Sequence, residues 1–314
     1  MRSQRLQRFF RDFDLDYAVV AKLIAALMNI PQPWILSTDR TEWSFGQTRF
    51  NILMLGVVHD GVAYPLIWTM LDKKGNSNSN ERMDLLERFE QIFPDVKVAY
   101  ISGDREFVGK EWLTYLLIEP AILFRLRIKK SDRISDGKKQ LRASIVFAHL
   151  KPGQTQILSG RRWVWGRLVY VSALRLDDGE LLIIITSDPT ISAVPDYAQR
   201  WGIETLFGIF KTRGFCLEST HFTDVQRLSQ LIALMSRGFS NRQSSFRRRS
   251  AHTCCALCWA IKTGEWLHQH QPMQHASLDA TSAFGCASKN MVEKQKAFFV
   301  MAWIICVPSS PIWT

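Results

Sequence analysis

Tyr197, Arg200, Glu204 and Lys211 bring a phenol, two cations and an acid into one stretch of fifteen residues. On a helix turning about 100° per residue, the four fall within an arc of about 60°. Ile203, Leu206 and Phe210 take the opposite side, greasy enough to anchor the helix in a core. An acid flanked by cations suits a site that handles both a metal ion and phosphates. Two further acids have strand contexts. Trp34-Ile-Leu-Ser-Thr-Asp39 reads as a short strand ending on a carboxylate, and Val96 to Ser102 as another that ends at Gly103-Asp104. Ligands in open α/β sheets gather at the carboxyl ends of strands. Asp39 and Asp104 therefore meet if their strands are neighbours, and Glu204 can supply a third carboxylate. Three acids without histidine or cysteine suit a hard cation such as Mg²⁺ or Mn²⁺. Two such ions activate a water or a 3′-hydroxyl and stabilise the leaving oxygen of a phosphodiester. Each acid also has a plainer reading. A strand-end aspartate serves as a turn former, and the stripe can be a solvated face carrying an Arg200–Glu204 pair at i, i+4.

The 314 residues carry a net charge of +11, with a pI near 9.5. Hydrophobic residues make up 46% and charged residues 22%, the balance of a soluble globular protein. The charge is that of a basic enzyme surface or of a partner for a polyanion, since Lys and Arg neutralise phosphates. Met1 to Phe13 lacks the apolar core of a secretion signal. The longest apolar stretch, Ala297 to Val307, is too short to span a bilayer. Cys216 stands alone and the other five cysteines follow residue 250, which is no secreted disulfide framework. A cytoplasmic protein with no membrane partner is expected.

The elements that must position these residues follow from periodicity. Residues 1–30 read as two helices, the second entered through Asp14 or Asp16 and closed by Pro31 and Pro33. Arg49 to His59 and Val62 to Met70 form a hairpin around Asp60-Gly61. A polar loop, Gly75 to Asn80, leads into an amphipathic helix over Glu81 to Phe93. A helix near Gly109 to Leu117 and a strand near Ala121 to Leu126 come after the Asp104 turn. Lys129 to Arg142 is charged and turn-rich, and Ser144 to Ser187 reads as β throughout. Its clearest strands are Trp163-Val-Trp165, Leu168 to Leu176 and Leu181 to Thr186, with Asp178-Gly179 as a hairpin turn. The order predicts a mixed α/β domain interrupted once by an all-β insertion.

The spacing of Tyr197, Arg200, Glu204 and Lys211 matches the tyrosine–arginine–glutamate–lysine signature of bacterial insertion-sequence transposases of the DDE type. Thr38-Asp39-Arg40-Thr41-Glu42-Trp43 resembles the segment around the first catalytic aspartate of that family. Gly103-Asp104-Arg105-Glu106-Phe107 resembles the segment around the second, and the resemblance covers about residues 1–235. It implies a ribonuclease-H-like mixed sheet flanked by helices, in which Asp39, Asp104 and Glu204 hold two divalent ions, Mg²⁺ or Mn²⁺. It also implies nicking at transposon ends followed by strand transfer, often through a DNA hairpin. Tyr197, Arg200 and Lys211 would contact phosphates, where fixed cations stabilise a phosphorane. Trp163, Trp165 and Trp201 are candidates to stack a displaced base, although for the first two the plainer reading, a core or sheet residue, comes first. The partners implied are double-stranded DNA, as terminal inverted repeats and target, and a second copy of the chain assembled on DNA. The location implied is the nucleoid.

The implied divisions are a helical N-terminal segment (1–33), the first part of the core (34–128), the β-rich insertion (129–190), the second part of the core (191–235) and an irregular tail (236–314). Only 38 residues precede Asp39, where relatives carry a larger DNA-binding domain, so this region is read as shortened. Ala256 to His268 resembles the family's C-terminal helix, and beyond Met273 that character disappears. Lys289 to Ile305, back-translated and read one frame over, resembles a family C-terminus, so the tail is read as frameshifted after about residue 235. Cys254, Cys255 and Cys258 with His268 and His270 fall short of two well-spaced zinc-ligand pairs. Arg247-Arg248-Arg249 reads as a solvated charge run. The main alternative to an active enzyme is a non-catalytic, DNA-binding or inhibitory remnant. A general metal-dependent nuclease is a third.

Overall fold

The structure, a computed structural model of the chain, describes residues 2–240 apart from 119, 120 and 214. The expectations for the tail, including the Ala256–His268 helix, the cysteine cluster and the arginine run, lie outside the described residues.

Two helices open the chain, α1 (Arg2–Asp12) and α2 (Tyr17–Met28). Asp16 caps α2 by accepting from the amides of Ala18 and Val19, which satisfies donors no helical carbonyl can reach. Three long strands follow: β1 (Trp34–Phe45), β2 (Thr48–His59) and β3 (Val62–Met70). Helix α3 (Ser79–Ile92) begins with a capping box between Asn78 and Glu81. It is followed by β4 (Val98–Gly103), α4 (Lys110–Ile118) and β5 (Phe124–Ile128). The next segment contains β6 (Arg133–Ser135), β7 (Gln140–Arg142), a single helical turn α5 (Ala143–Val146), β8 (Thr155–Ile157), β9 (Arg162–Val164), β10 (Arg167–Arg175) and β11 (Leu181–Thr186). The chain then returns through α6 (Ala193–Ala198) and α7 (Trp201–Gly208), a π turn (Ile209–Arg213) and α8 (Val225–Ser240).

Among the described residues the strands form one sheet in the order β3-β2-β1-β4-β5-β11-β10-β9-β6-β7, with β8 on β10. β1, β4 and β5 run parallel, while β2 and β3 form an antiparallel meander on β1. Order 3-2-1-4-5 with this pattern of directions is the ribonuclease-H-like arrangement, a mixed sheet flanked by helices. Phe50 to Val58 on β2 are all buried, whichever face they point to, because helices cover both sides of the sheet. Ile24 of α2, Phe89 of α3, Trp112 of α4 and Ile203 of α7 are buried in the same cluster as Leu36 and Leu53 of the sheet.

Three expectations are corrected. β1 does not stop at Asp39 but continues to Phe45. It pairs with β2 from Ile35↔Val58 to Phe45↔Thr48, whereas its parallel pairing with β4 ends at Thr38↔Gly103. The antiparallel partner carries the strand past the point where the parallel one leaves. The insertion is not β throughout, since α5 interrupts it and Trp165 sits in the turn between β9 and β10 at φ 50. It is also hydrogen-bonded into the core, through Ile183↔Ile128 to Thr186↔Arg125 between β11 and β5.

The Tyr197–Lys211 segment, finally, is not one regular helix. Arg200 donates its amide to Tyr197, Gly202 to Gln199 and Ile203 to Arg200, three-residue steps that tighten the turn between α6 and α7. The π turn then widens the far end. Gly202 accounts for the local geometry, because a Cβ there would lie 3.0 Å from the Ala63 amide nitrogen and 3.0 Å from Val58 Cγ1. Only glycine lets α7 lie this close to the β2–β3 hairpin.

Candidate active site

Asp39 stands on β1 one residue beyond its last pairing with β4, and Asp104 directly follows the last residue of β4. The two acids thus share the carboxyl end of a parallel strand pair, as the sequence suggested. Gly103 permits this turn. A Cβ there would lie 2.8 Å from Phe107 Cβ and 3.1 Å from Leu126 Cδ2. The Phe107 amide closes the turn by donating to the Asp104 carbonyl at 2.8 Å. The close packing of α7 delivers Glu204 to the same end of the sheet.

One side chain joins the three acids. The Arg200 guanidinium, 5% exposed, donates through Nη1 to Asp39 Oδ2 at 2.9 Å and through Nη2 to Glu204 Oε1. Its Nε donates to the Tyr197 hydroxyl at 3.0 Å, and that hydroxyl donates to Asp104 Oδ1 at 3.3 Å. Arg200 and Tyr197 therefore lie in the interior, not on a solvated face. The Arg200–Glu204 pair anticipated for such a face does form, but it is one arm of a larger network. Burial opposes the Arg200 charge, yet Tyr197, Asp39, Asp104 and Glu204 outweigh it and hold the proton more firmly than usual. Burial raises the Tyr197 phenol as well. For Asp39, burial is the largest influence and pushes the carboxyl up to about 6. Arg200 and the Arg40 amide act against this, and Glu106 and Asp104 reinforce it.

A second layer surrounds the network. Asp39 Oδ1 accepts the Arg40 amide at 2.8 Å. The Arg40 side chain reaches Glu42 at 2.9 Å, Asn51 at 3.1 Å and Glu106 at 3.4 Å. Asn51 is fixed in turn by donating to the carbonyls of Lys73 and Gly75. Glu106 received no role of its own from the sequence. It lies two residues past Asp104 in the same tight turn, and that proximity was the available signal. Its Oε1 is buried and has no hydrogen-bond partner among the described residues.

The remaining candidates lie apart. Lys211, in the π turn, donates to the Glu42 carbonyl at 3.1 Å and sits 5.3 Å from the Trp43 ring centre, farther along β1 than Asp39. Trp201, next to Arg200, is 63% exposed. Trp163 and Trp165 are each nearly half exposed, so neither is a core residue; Trp163 is a sheet residue on β9 and Trp165 lies in the turn after it. Only Val164 between them is buried. Among the described residues no hydrogen bond or ring contact joins these tryptophans to the three acids.

The donor chemistry suits a hard divalent cation, because Asp39, Asp104 and Glu204 offer oxygen alone. Among the described residues, however, no three acid, histidine or cysteine side chains stand close enough to close on one ion as they are. Positive charge already stands at this point, in the Arg200 guanidinium on Asp39 and Glu204 and in Arg105 and Arg127, each 3.9 Å from Asp104. A divalent ion would take over the carboxylate oxygens that Arg200 now holds.

Comparison with known proteins gives the following. No curated protein matches the chain. Among solved structures, a piggyBac transposase synaptic complex with hairpin DNA is similar over 83% of this chain, at 11% identity and a TM-score of 0.41. The match spans 63% of that transposase's length. Endonuclease V of Bacillus subtilis is similar at 10% identity and a TM-score of 0.28, over 63% of this chain and 92% of that one. The catalytic domain of human endonuclease V gives 11%, 0.30, 77% and 94% respectively. Residues 31–237, which carry Asp39, Asp104, Glu204 and the sheet that gathers them, match the model of the transposase DDE domain, and the chain belongs to that family.

Proposed function

We propose that this chain is the transposase of a bacterial insertion sequence, of the branch with the Tyr-Arg-Glu-Lys signature, and that Asp39, Asp104 and Glu204 are its catalytic acids. The observation that carries the reading is the single guanidinium of Arg200. It binds Asp39 and Glu204 directly and reaches Asp104 through Tyr197. Residues 161 positions apart in sequence thus meet at the carboxyl end of a parallel strand pair, where α/β sheets bind ligands.

The three acids would hold two Mg²⁺ or Mn²⁺ ions, which supply Lewis acidity and an activated oxygen nucleophile when bound. Arg200 and Tyr197, released from the carboxylates, would turn to phosphate oxygens of the transposon end, with Lys211 contacting phosphate from farther along the same strand. A guanidinium suits this exchange, since its planar fork matches carboxylate and phosphate alike. Hydrolysis breaks one P–O3′ bond and leaves a 3′-hydroxyl. That hydroxyl, on losing its proton, forms a new P–O3′ bond with the target strand as the target's own 3′-oxygen leaves. A route through a DNA hairpin fits the exposure of Trp163, Trp165 and Trp201, any of which can stack a displaced base.

Residues 1–33 are assigned to a helical DNA-binding region, 34–128 and 191–235 to the catalytic core, 129–190 to an insertion and 236–314 to a frameshifted tail. The partners are the terminal inverted repeats, the target duplex and, on DNA, a second copy. Among the described residues no helix is long and apolar enough to cross a membrane, and a place on the nucleoid is proposed.

The test is a strand-transfer assay with Mg²⁺ or Mn²⁺ and the element's own ends. Activity that disappears in Glu204→Ala supports the enzyme. End binding without cleavage under either metal would identify the chain as a non-catalytic remnant.

A further inference from the structure

Within the described part of the chain one segment carries a marked surplus of positive charge. Residues 129–167 contain ten Lys or Arg and two Asp, a surplus of eight against +11 for the whole chain. Both acids are occupied by backbone amides. Asp132 accepts from Lys129, and Asp136 from Lys138 and Lys139. Among the described residues neither acid makes an ion pair with a cation of this segment, although Arg162 acts on Asp136 through space.

The small sheet β7-β6-β9 arranges part of this charge on one face. Arg133 stands directly opposite Arg142, and Ser135 opposite both Gln140 and Trp163. Directly opposed residues of an antiparallel pair share a face. Arg133, Arg142, Gln140 and Trp163 therefore form one exposed surface, while Ile134 and Val164 are buried on the other side. Lys138 and Lys139 extend it from the exposed β6–β7 turn. Like charges in direct cross-strand register destabilise a sheet. Gln140 accepts one hydrogen bond from Arg133 at 3.3 Å, and among the described residues no carboxylate pairs with either arginine. Opposed arginines beside an exposed indole form a surface completed by a polyanion with flat apolar groups.

We infer that the outer face of β7-β6-β9 is a docking surface for the sugar–phosphate backbone of a DNA duplex, separate from the acid site. Arg133 and Arg142 bridge phosphates, Lys138 and Lys139 add to the field, and Trp163 packs against sugar or base edge. The binding is independent of sequence, because cations on phosphates carry no base information. The choice of DNA among polyanions rests on the function proposed above, and the geometry of the face does not.

The test uses the full chain and a duplex of arbitrary sequence. Replacing Arg133 and Arg142 together by Ser should weaken binding about tenfold or more and make the log–log salt dependence shallower by about 2, the release of two counterion sites. The same variant should melt at an equal or higher temperature, since the opposed charges are gone, which separates a binding role from a structural one. Lys97→Ser combined with Arg227→Ser removes the same charge elsewhere and should change the slope far less. An unchanged affinity and slope would overturn the inference. So would dependence on Arg133 and Arg142 that appears with anionic phospholipid vesicles and not with the duplex. Failures of the two proposals look different. A chain that cleaves ends normally with an unchanged slope loses only this surface. A chain that never cleaves, yet shows the shallower slope, loses only the transposition reading.

Discussion

Arg200→Ala separates the two charges that can occupy the acid cluster. The side chain is 6% exposed and holds that of Asp39, 16% exposed, at 2.9 Å. Removing one member of a buried pair leaves the other uncompensated, at a cost of about 3–5 kcal/mol. Glu204 is 40% exposed, so solvent screens its share to roughly 1 kcal/mol or less, and Asp39 carries most of the loss. The Arg40 amide remains on Asp39 and softens it, so about 3 kcal/mol is expected at neutral pH without divalent ions. For a folded region of this size that lowers the melting temperature by roughly 6–12 °C. Divalent ions should reverse the order of the two proteins. On the proposed function an ion must displace Arg200 in the wild type, whereas in Arg200→Ala no guanidinium holds Asp39 and Glu204. Mn²⁺ should therefore bind the variant more tightly in calorimetry and raise its melting temperature by more, since ligand stabilisation follows the ratio of concentration to Kd. Equal Mn²⁺ affinity and equal thermal shifts in the two proteins would refute the view that Arg200 is the resident counter-charge of the site.

Tyr197→Phe removes the hydroxyl between Arg200 and Asp104. A loss of about 1.5–3 kcal/mol in urea unfolding is expected, the range for hydrogen bonds to charged groups, together with slower strand transfer in gel assays. Gly202→Ala forces a methyl to within 3.0 Å of the Ala63 amide. It should cost about 1–3 kcal/mol by overpacking and lower strand-transfer activity, because α7 carries Glu204. The pH dependence of stability tests the burial of Asp39. Its carboxyl is raised from 3.8 to about 6, so the folded chain favours the neutral form. The stability this contributes is complete below about pH 3.8 and is lost as pH rises through about 6. In metal-free protein that loss is about 3 kcal/mol at most, and Asp39→Asn should remove it, flattening the urea-derived stability profile between pH 4 and 7.5.

Local chemistry made much of this molecule legible. Asp60-Gly61 marked the β2–β3 hairpin and Asp16 sits where α2 begins, whereas α3 starts at Ser79, inside the stretch read as a loop, because Asn78 and Glu81 cap it reciprocally. Asp104 could be placed because Gly103 ended an apolar run, and the structure shows why the glycine is needed. What escaped the sequence was decided by distant partners. β1 outlasts Asp39 because β2, later in the chain, pairs with it to Phe45, and no pattern within Trp34–Asp39 encodes that. The signature segment reads as one regular helix, yet its geometry is set by the approach of Gly202 to Ala63 and Val58. Period alone could place Arg200 and Glu204 on one side. It could not show that this side faces Asp39 and is buried, since that depends on the register of α7 against the sheet. Glu106 was hidden for a similar reason, its partner Arg40 being 66 residues away.

Anomalous scattering from crystals grown with Mn²⁺ tests the central claim most directly. If Asp39, Asp104 and Glu204 are a metal site guarded by Arg200, Mn²⁺ will appear among the three carboxylates, with the guanidinium displaced from Asp39 and Glu204. Saturating Mn²⁺ that leaves no ion there, with Arg200 still bridging the two acids, would contradict it.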